Sequence, residues 1–291
     1  MSKIFDILLG ARYHIGDAKI IGLRSNFVRN GKFSMGEDIT EILGAWSFDP
    51  ETNVRKIRGA DGVEKIQVRI NQGAFQGILQ IDLDGRPDGC RPHGQTFALD
   101  YYQNALHKYR QQNNGADDGF SLDSDACQEL FDEGARIYER YAFLLQLKEY
   151  PRVIRDTERN MQLFRFVNRY AASDHDKSNL EKWWPYILRI NGTARAFVAR
   201  DEGDFVEALE IVSKTREQIS ECCVVDAEEF RVEMERSEEA LGAIESELIE
   251  AKPLNRKEQL EQMLAEAVED DNFERAAELR DLIQQLALEE G

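Results

Sequence analysis

The chain has 291 residues, a hydrophobic fraction of 42% and a net charge of −18, enough sequence for about two domains. Its 55 acidic and 37 basic side chains repel phosphate groups, so broad nucleic-acid or anionic membrane binding is disfavoured. No apolar run approaches the roughly 18 residues of a membrane span. The stretch Ile4–Leu9 is interrupted by Asp6 and is too short for a signal peptide, so we expect a cytoplasmic protein.

Residues 1–110 predict a mixed α/β domain with antiparallel strands. We expect strands at 54–58, 63–70 and 78–83, since apolar residues alternate there and turn residues separate them. In the second strand one face carries Ile66, Val68 and Ile70. A helix is expected at 95–109. With the helical remainder of the chain, this predicts an α+β fold.

The most site-like segment is the glycine-rich loop 84–94. It gathers six functional side chains: Asp84, Arg86, Asp88, Cys90, Arg91 and His93. One interpretation is an anion or ligand site that uses Arg86, Asp88, Arg91 and His93. The other is a structural loop, in which turn residues set the backbone and the charges pair with one another.

Residues 111–119 are polar, and 111–120 are predicted to be a linker. Everything after them is expected to be helical, because a side-chain acceptor with glutamate three residues later, the capping box, recurs before apolar-periodic stretches. The five matches are Ser178 with Glu181, Asp204 with Glu207, Asp226 with Glu229, Asn255 with Glu258 and Asp271 with Glu274.

Residues 121–225 contain a weak internal repeat, in which 140–154 matches 195–209. Each copy reads as a helix, an acidic turn, an aromatic residue (Tyr150 or Phe205) and a second helix. The pattern resembles tetratricopeptide-type helix pairs, although its offset departs from that family's period of about 34 residues. We therefore expect a helical-pair domain without a regular array.

Residues 226–252 predict one long helix. Apolar residues recur at heptad spacing, with Ser237 in the one missing place: Phe230, Met234, Leu241, Ile244 and Leu248. The pattern covers only about three heptads, so it fits both a coiled coil and a helix packed within a bundle. Pro253 ends it.

Residues 255–288 predict a helical hairpin that turns at Asp270–Asn272. Its predicted partner-binding residues are Leu260, Met263, Leu264, Ala267, Phe273, Ala276, Ala277, Arg280 and Ile283. Two helices of this length bury little surface, and isolated helices below about 12–15 residues are marginal in water. The hairpin is therefore expected to pack on the protein's own body, on a second copy, or on another protein.

The hairpin closely resembles the UVR motif of the excision-repair proteins UvrB and UvrC. The matching residues are Leu260, Met263, Ala267, Phe273, Glu274, Ala276, Ala277, Leu279, Arg280, Asp281, Ile283 and Leu286. The resemblance implies protein–protein contact through a helical hairpin. The stretch Gly85–Gly94 also resembles a segment of bacterial UVR-motif proteins, which implies no particular activity.

Recognisable catalytic motifs are absent from the sequence. It has no phosphate-binding Gly-x-x-x-x-Gly-Lys loop, no Cys-x-x-Cys pair and no Gly-x-Ser-x-Gly elbow. The four cysteines, including the adjacent Cys222 and Cys223, are expected to be reduced structural thiols. We expect no cofactor and no metal. The aromatic segment 183–186 is interpreted as core rather than as a peptide-binding patch.

Three functional hypotheses follow. The first is a non-enzymatic adaptor that binds a partner protein, or itself, through the hairpin. The second is an excision-repair accessory that contacts UvrB- or UvrC-like proteins or DNA. The third is a ligand-binding or enzymatic N-terminal domain that uses the 84–94 loop.

Overall fold

The computed structural model describes residues 39–254 and 256–289. Its elements in chain order are α1 (Thr40–Ala45), β1 (Val54–Arg58), β2 (Glu64–Gln72), β3 (Phe75–Asp82), α2 (Ala98–Gln112), α3 (Ser124–Gln146), α4 (Tyr150–Tyr170), α5 (Asp174–Asn179), α6 (Trp184–Asp201), α7 (Phe205–Ser220), α8 (Glu228–Ala251), α9 (Arg256–Glu269) and α10 (Phe273–Glu289). The predicted α+β fold is confirmed. Predictions that involve residues 1–38 or the capping residue Asn255 lie outside the described residues.

The three strands form an antiparallel sheet in the order β1-β2-β3. Ile66 pairs with Ile81 across the second and third strands, and both side chains are buried. Val68 is also buried, so the alternation read from the sequence places the apolar face of β2 correctly. The β2–β3 turn needs a left-handed backbone, which Gly73 supplies with φ of 58°.

Two helix pairs form the body, α3 with α4 and α6 with α7, and α4 also packs against α6. The apolar core collects side chains from α2, α3, α4 and α6, including Leu99, Leu130, Leu163, Val167 and Ile187. Tyr150, just after the first predicted turn, is buried, and its ring centre lies 5.3 Å from that of Phe197. The corresponding Phe205 is only partly buried. The tetratricopeptide likeness remains a prediction.

Buried ion pairs connect the layers of the body. Arg140 on α3 forms a two-pronged pair with Asp156 on α4, with N–O distances of 2.7 and 2.9 Å. The same guanidinium donates to the backbone oxygens of Asp82 and Gly85, which attaches the end of the sheet to the helices. A charged pair of this kind is tolerated in a core only when its remaining hydrogen bonds are also satisfied.

Helix α8 carries the predicted heptad seam, and part of the seam packs inside the chain. Phe230 and Leu241 are buried. At the missing apolar position, Ser237 is completely buried and donates a hydrogen bond to the backbone oxygen of Glu233 at 2.6 Å. Its hydroxyl also lies 3.3 Å from the backbone oxygen of Pro185 on α6. The polar residue therefore has hydrogen-bonding partners on two helices.

One of the predicted helix caps is confirmed. The Asp204 side chain accepts from the backbone N–H of Glu207 at 2.8 Å and begins α7. Helix α8 begins at Glu228, two residues after the predicted Asp226. A cap outside the capping-box pattern is Asp123, whose side chain accepts from a backbone N–H three residues later and begins α3. Three residues after Asp123 the sequence has alanine in place of glutamate, so the pattern does not include it.

Two predicted caps are wrong. Ser178 lies at the end of α5, which is capped at its start by Ser173. The S-x-x-E spacing is therefore present without its usual role. In the hairpin, Asp271 takes a left-handed φ of 54°, and the cap is the next residue, Asn272. Its side-chain oxygen accepts from the backbone N–H of Arg275 at 3.2 Å. Asparagine is as good an N-cap as aspartate, so the sequence alone does not show which of these two neighbouring residues caps the helix.

The segment predicted as a linker, 111–120, is fastened to the body. Asp117 accepts from the Tyr170 hydroxyl at 2.7 Å and pairs with Arg110 and Arg169. Phe120 packs against the apolar core. A polar segment can be held in place by charge and one aromatic residue, and composition does not reveal either contact.

Contacts divide the chain into two compact units, one ending at Glu245 and one running from Ser246 to Gly291. The second unit contains α9 and α10, which pack against each other. The finer domain boundaries read from the sequence stay a prediction. Among the described residues, no helix is both long and apolar enough to cross a bilayer.

Candidate functional site

The hairpin's own core is small. Four side chains are buried between α9 and α10, with two partly buried neighbours: Leu260, Ala267, Ala276 and Leu279, then Leu264 and Ile283. Ala276 is 9% exposed and belongs to this core. Leu279 is the most completely buried of the set, at 1% exposure. It belonged to the motif resemblance but not to the predicted partner-binding residues.

The remaining predicted binding residues are exposed. Phe273 is 67% exposed and Met263 is 41% exposed, and Ala277 and Arg280 also face solvent. The predicted set therefore divides into an inner group that holds the hairpin together and an outer group that is accessible. Only the outer group is available to touch another molecule without opening the hairpin.

The outer group of α10 forms a stripe. Phe273, Ala277 and Arg280 are spaced four and three residues apart, which places them on one side of a helix. We call these three residues the outer stripe. Leu282, which is 42% exposed, is nine residues from Phe273 and therefore on the opposite side. The stripe therefore combines an apolar ring with an arginine, a residue type enriched at binding hot spots.

Charged side chains of both signs lie in and beside the outer stripe. Arg280 lies beside Asp281, with an N–O distance of 3.2 Å, and both side chains are 64% exposed. The turn that precedes α10 carries Asp270 and Asp271. A pair this exposed contributes little to stability. Its charges remain available to orient a partner during encounter.

The 84–94 loop is held by its own charges. Arg86 pairs with Asp88 at 2.9 Å, and Asp88 also pairs with Arg136 of α3 at 3.1 Å. The Arg86 guanidinium lies 3.5 Å from a carboxylate oxygen of Glu133, which is completely buried. The side chain of Arg91 is exposed and makes no hydrogen bond or ion pair within the described part of the chain. Of the two arginines predicted for a ligand site, Arg86 is therefore used in ion pairs within the fold, and the Arg91 side chain is accessible to a ligand.

His93 is fixed at the other end of this loop. Its backbone takes φ of 51°, a left-handed conformation that is costly for a residue with a Cβ. Its Nε2 lies 2.9 Å from a carboxylate oxygen of Glu129, and its ring stacks on Tyr101 with centroids 3.9 Å apart. Burial disfavours ionisation of Glu129, but hydrogen bonds from His93 and Tyr102 outweigh it and lower the pKa of Glu129.

Glu133 joins the loop to the helix that follows it. Its carboxylate accepts from the backbone N–H groups of Ala98 and Leu99 at 2.6 and 3.1 Å, so it caps α2 from another helix. Burial raises the pKa of Glu133, although these two N–H groups oppose that shift. The sequence prediction missed this residue, because it lies 35 positions from the helix it caps.

The described residues contain no cluster of histidine, cysteine and carboxylate side chains arranged to hold a metal ion. The thiols are unpaired: Cys127 is buried, and burial raises the pKa of Cys222 to about 11. At neutral pH such a thiol stays protonated and is a poor nucleophile. In the aromatic segment, Pro185 and Tyr186 are buried while Trp183 is 36% exposed.

Comparison with protein families bears on the hairpin. Residues 255–288 match the family described as the UvrB/uvrC motif. The resemblance found in the sequence is therefore confirmed for this segment, which covers α9 and all but the last residue of α10. No curated protein and no solved structure is significantly similar to the chain.

Proposed function

We propose that the protein is a non-enzymatic adaptor that binds a partner protein, or a second copy of itself, through the C-terminal hairpin. The observation that carries the proposal is the 67% exposure of Phe273 on a hairpin that matches the UvrB/uvrC motif. Covering a phenylalanine side chain is worth roughly 1.5–3 kcal/mol. The inner residues hold the two helices together, and the outer stripe is the contact surface.

Two further observations support a docking role over a catalytic one. The hairpin has fewer than about 40 residues, the size below which a domain usually needs a partner, a metal or disulfides to be stable. The loop cations that a ligand would need are partly used inside the fold, since Arg86 is paired with Asp88 and lies beside Glu133.

The test is affinity purification and mass spectrometry with wild type and Phe273→Asp. An aspartate in the first turn of a helix interacts favourably with the helix dipole, so the substitution should not unfold α10. We expect loss of specific partners, or of the self-associated form in sedimentation, with at least a tenfold weaker affinity.

Leu282→Asp is the matched control, because it puts the same charge on the opposite, exposed side of α10. It should retain the partners, and Phe273→Leu should restore most of the binding. Equal binding by wild type and Phe273→Asp would refute the outer stripe as the contact surface.

A second candidate is an accessory of excision repair, which the motif family itself favours. In that case the captured partners would be UvrB- or UvrC-like proteins. With a net charge of −18, the protein alone should not shift a DNA duplex in a gel at physiological salt.

A further inference from the structure

Apolar side chains are exposed on both sides of the hairpin's turn. Val268, near the end of α9, is 51% exposed, and Phe273, the first residue of α10, is 67% exposed. Backbone hydrogen bonds close the turn between them. The Asp271 N–H donates to the Val268 oxygen at 3.2 Å, and the Asn272 N–H donates to the oxygen of residue 267 at 2.8 Å. The two helix ends are therefore held together, with both apolar side chains accessible.

The same turn is the most acidic part of the hairpin. We call residues 266–274 the acidic tip. The sequence has no lysine, arginine or histidine in this segment, although the whole chain has 37 basic side chains beside 55 acidic ones. All five carboxylates of the tip are exposed: Glu266, Glu269, Asp270, Asp271 and Glu274. The acidic tip is therefore a local concentration of negative charge around two exposed apolar side chains.

The cations of the hairpin do not neutralise the acidic tip. Its described ion pairs all use carboxylates outside the tip: Lys257 with Glu261, Arg275 with Glu278, and Arg280 with Asp281. Arg275 is two residues after Phe273, which turns it about 200° around the helix axis and away from the ring. Arg280 is in the outer stripe but about 10 Å further along the axis. The five tip carboxylates therefore have no ion-pair partner among the described residues.

This charge distribution decides between the two occupants that an exposed hairpin face allows. Most homodimers have two-fold symmetry, and such an interface places the same surface of both copies together. An interface of this kind centred on Phe273 would bring two acidic tips against each other, without a cation from either tip. Like charges that face each other across an interface suppress binding, whereas a partner of opposite charge is attracted. The acidic tip therefore favours a different, basic protein over a second copy.

We propose that the hairpin docks, turn end first, onto an apolar surface of a different protein that is flanked by lysine and arginine side chains. Val268 and Phe273 contact the apolar part, and the carboxylates of the acidic tip pair with the basic side chains around it. The proposal rests on the proposed function, in which the hairpin is the contact surface, and it adds the chemical class of the partner.

The test begins with the full-length protein and a phage-displayed library of random dodecapeptides. Peptides that also bind Phe273→Ala are discarded, because this variant lacks the ring but keeps the net charge. We expect the remaining peptides to combine lysine or arginine with apolar residues. One of them is synthesised with a fluorescent label, and its affinity is measured by anisotropy.

A charge-neutral tip is the decisive variant: Glu269→Gln/Asp270→Asn/Asp271→Asn/Glu274→Gln. The amides have nearly the size of the carboxyl groups, and asparagine tolerates the left-handed φ of 54° at position 271. The variant should bind the labelled peptide at least tenfold more weakly, which corresponds to about 1.4 kcal/mol. The affinity of the wild-type protein should fall as salt rises from 50 to 300 mM, and that of the variant should change less.

A matched control removes four exposed carboxylates from the first compact unit: Glu202→Gln/Glu217→Gln/Glu235→Gln/Glu239→Gln. It changes the net charge by the same amount as the charge-neutral tip does. We expect its affinity for the labelled peptide to stay within twofold of the wild-type value. Circular dichroism and thermal unfolding check that both variants are folded.

Three results would overturn the basic partner and leave the hairpin as the contact surface. They are Phe273-dependent peptides without basic residues, equal affinity of wild type and the charge-neutral tip, and a wild-type dimer in sedimentation that Phe273→Ala dissociates. Equal weakening by the matched control would also overturn it, because net charge and not the tip would then explain the binding. If no peptide depends on Phe273, the proposed function fails as well.

Discussion

The body and the hairpin are both helical, but they are stabilised in different ways. The body buries long apolar side chains from four helices and adds charged pairs that are themselves buried, such as Arg140 with Asp156. The hairpin buries four side chains, and its described ion pairs, such as Arg275 with Glu278, are local and exposed. The body therefore has many stabilising contacts that are distant in sequence, and the hairpin has few.

This difference indicates which contacts determine the fold of each region. In the body, buried charges such as Arg140 meet their partners across helices, which favours the arrangement that brings those helices together. In the hairpin, the buried residues recur at helical spacing, and no buried charge connects the two helices within the described residues. A small unit of that kind gains its remaining stability from whatever covers it, which fits a docking element.

The largest expected effect is on the body, with Arg140→Ala. The substitution removes one of the two cations that pair with the buried Asp156, the other being Arg155, and it removes the hydrogen bonds to the backbone oxygens of Asp82 and Gly85. Breaking a buried pair costs about 3–5 kcal/mol where the remaining charge is uncompensated, and the retained Arg155 places the expected loss at the lower end of that range. Urea unfolding followed by circular dichroism should show this loss of unfolding free energy.

Arg231→Ala provides the comparison for that measurement. Arg231 and Glu228 are both about 70% exposed, and such pairs contribute at most about 1 kcal/mol. A similar loss of unfolding free energy in Arg140→Ala and Arg231→Ala would contradict the view that buried ion pairs stabilise the body more than exposed ones do.

The next effect is on the hairpin, with Leu279→Ala. This side chain is 1% exposed, and a buried leucine lost to alanine costs about 2–5 kcal/mol. A unit with four buried side chains has a small free energy of unfolding. We therefore expect fast exchange of the backbone amide hydrogens throughout 256–289. Exchange at 98–201 should not change if the two units are energetically separate.

Leu282→Ala is its matched control on the same helix. Leu282 is 42% exposed, so the substitution should leave the exchange pattern close to that of wild type. An increase in exchange that spreads from Leu279→Ala into the body would contradict the division into two units.

Local signals were predicted well from the sequence. Strand β1 was placed at Val54–Arg58, and the hairpin bounds 255–288 coincide with the family match. Both depend on periodicity and turn residues, which act over a few positions. The errors at Ser178 and Asp271 are also local, because several residues in one turn can serve as a cap, and the backbone conformation decides between them.

Contacts between distant residues were not predicted. Glu133 caps a helix that begins 35 positions earlier, and nothing in its immediate neighbours indicates this. The hairpin's predicted binding set mixed inner and outer residues, because both groups are apolar and three or four residues apart. Helical spacing alone does not identify the face that the other helix covers.

The smallest effect is on the body, at Asp117. Its ion-pair partners Arg110 and Arg169 are partly exposed, as are the ion-paired side chains of the hairpin. Hydrogen bonds from Arg110 first, and Tyr170 second, lower the pKa of Asp117 from its ordinary 3.8 to about 2. A carboxyl group with a lowered pKa in the folded state stabilises the protein above the unfolded value, and that contribution is lost as the pH falls from about 4 to 2. The urea midpoints of wild type and Asp117→Asn should therefore differ at pH 7 and converge towards pH 2. The other carboxylates titrate in both proteins, so their effect cancels in the difference between the two urea midpoints at each pH. A difference that persists at pH 2 would assign the effect to packing of the 111–120 segment and not to the charge of Asp117.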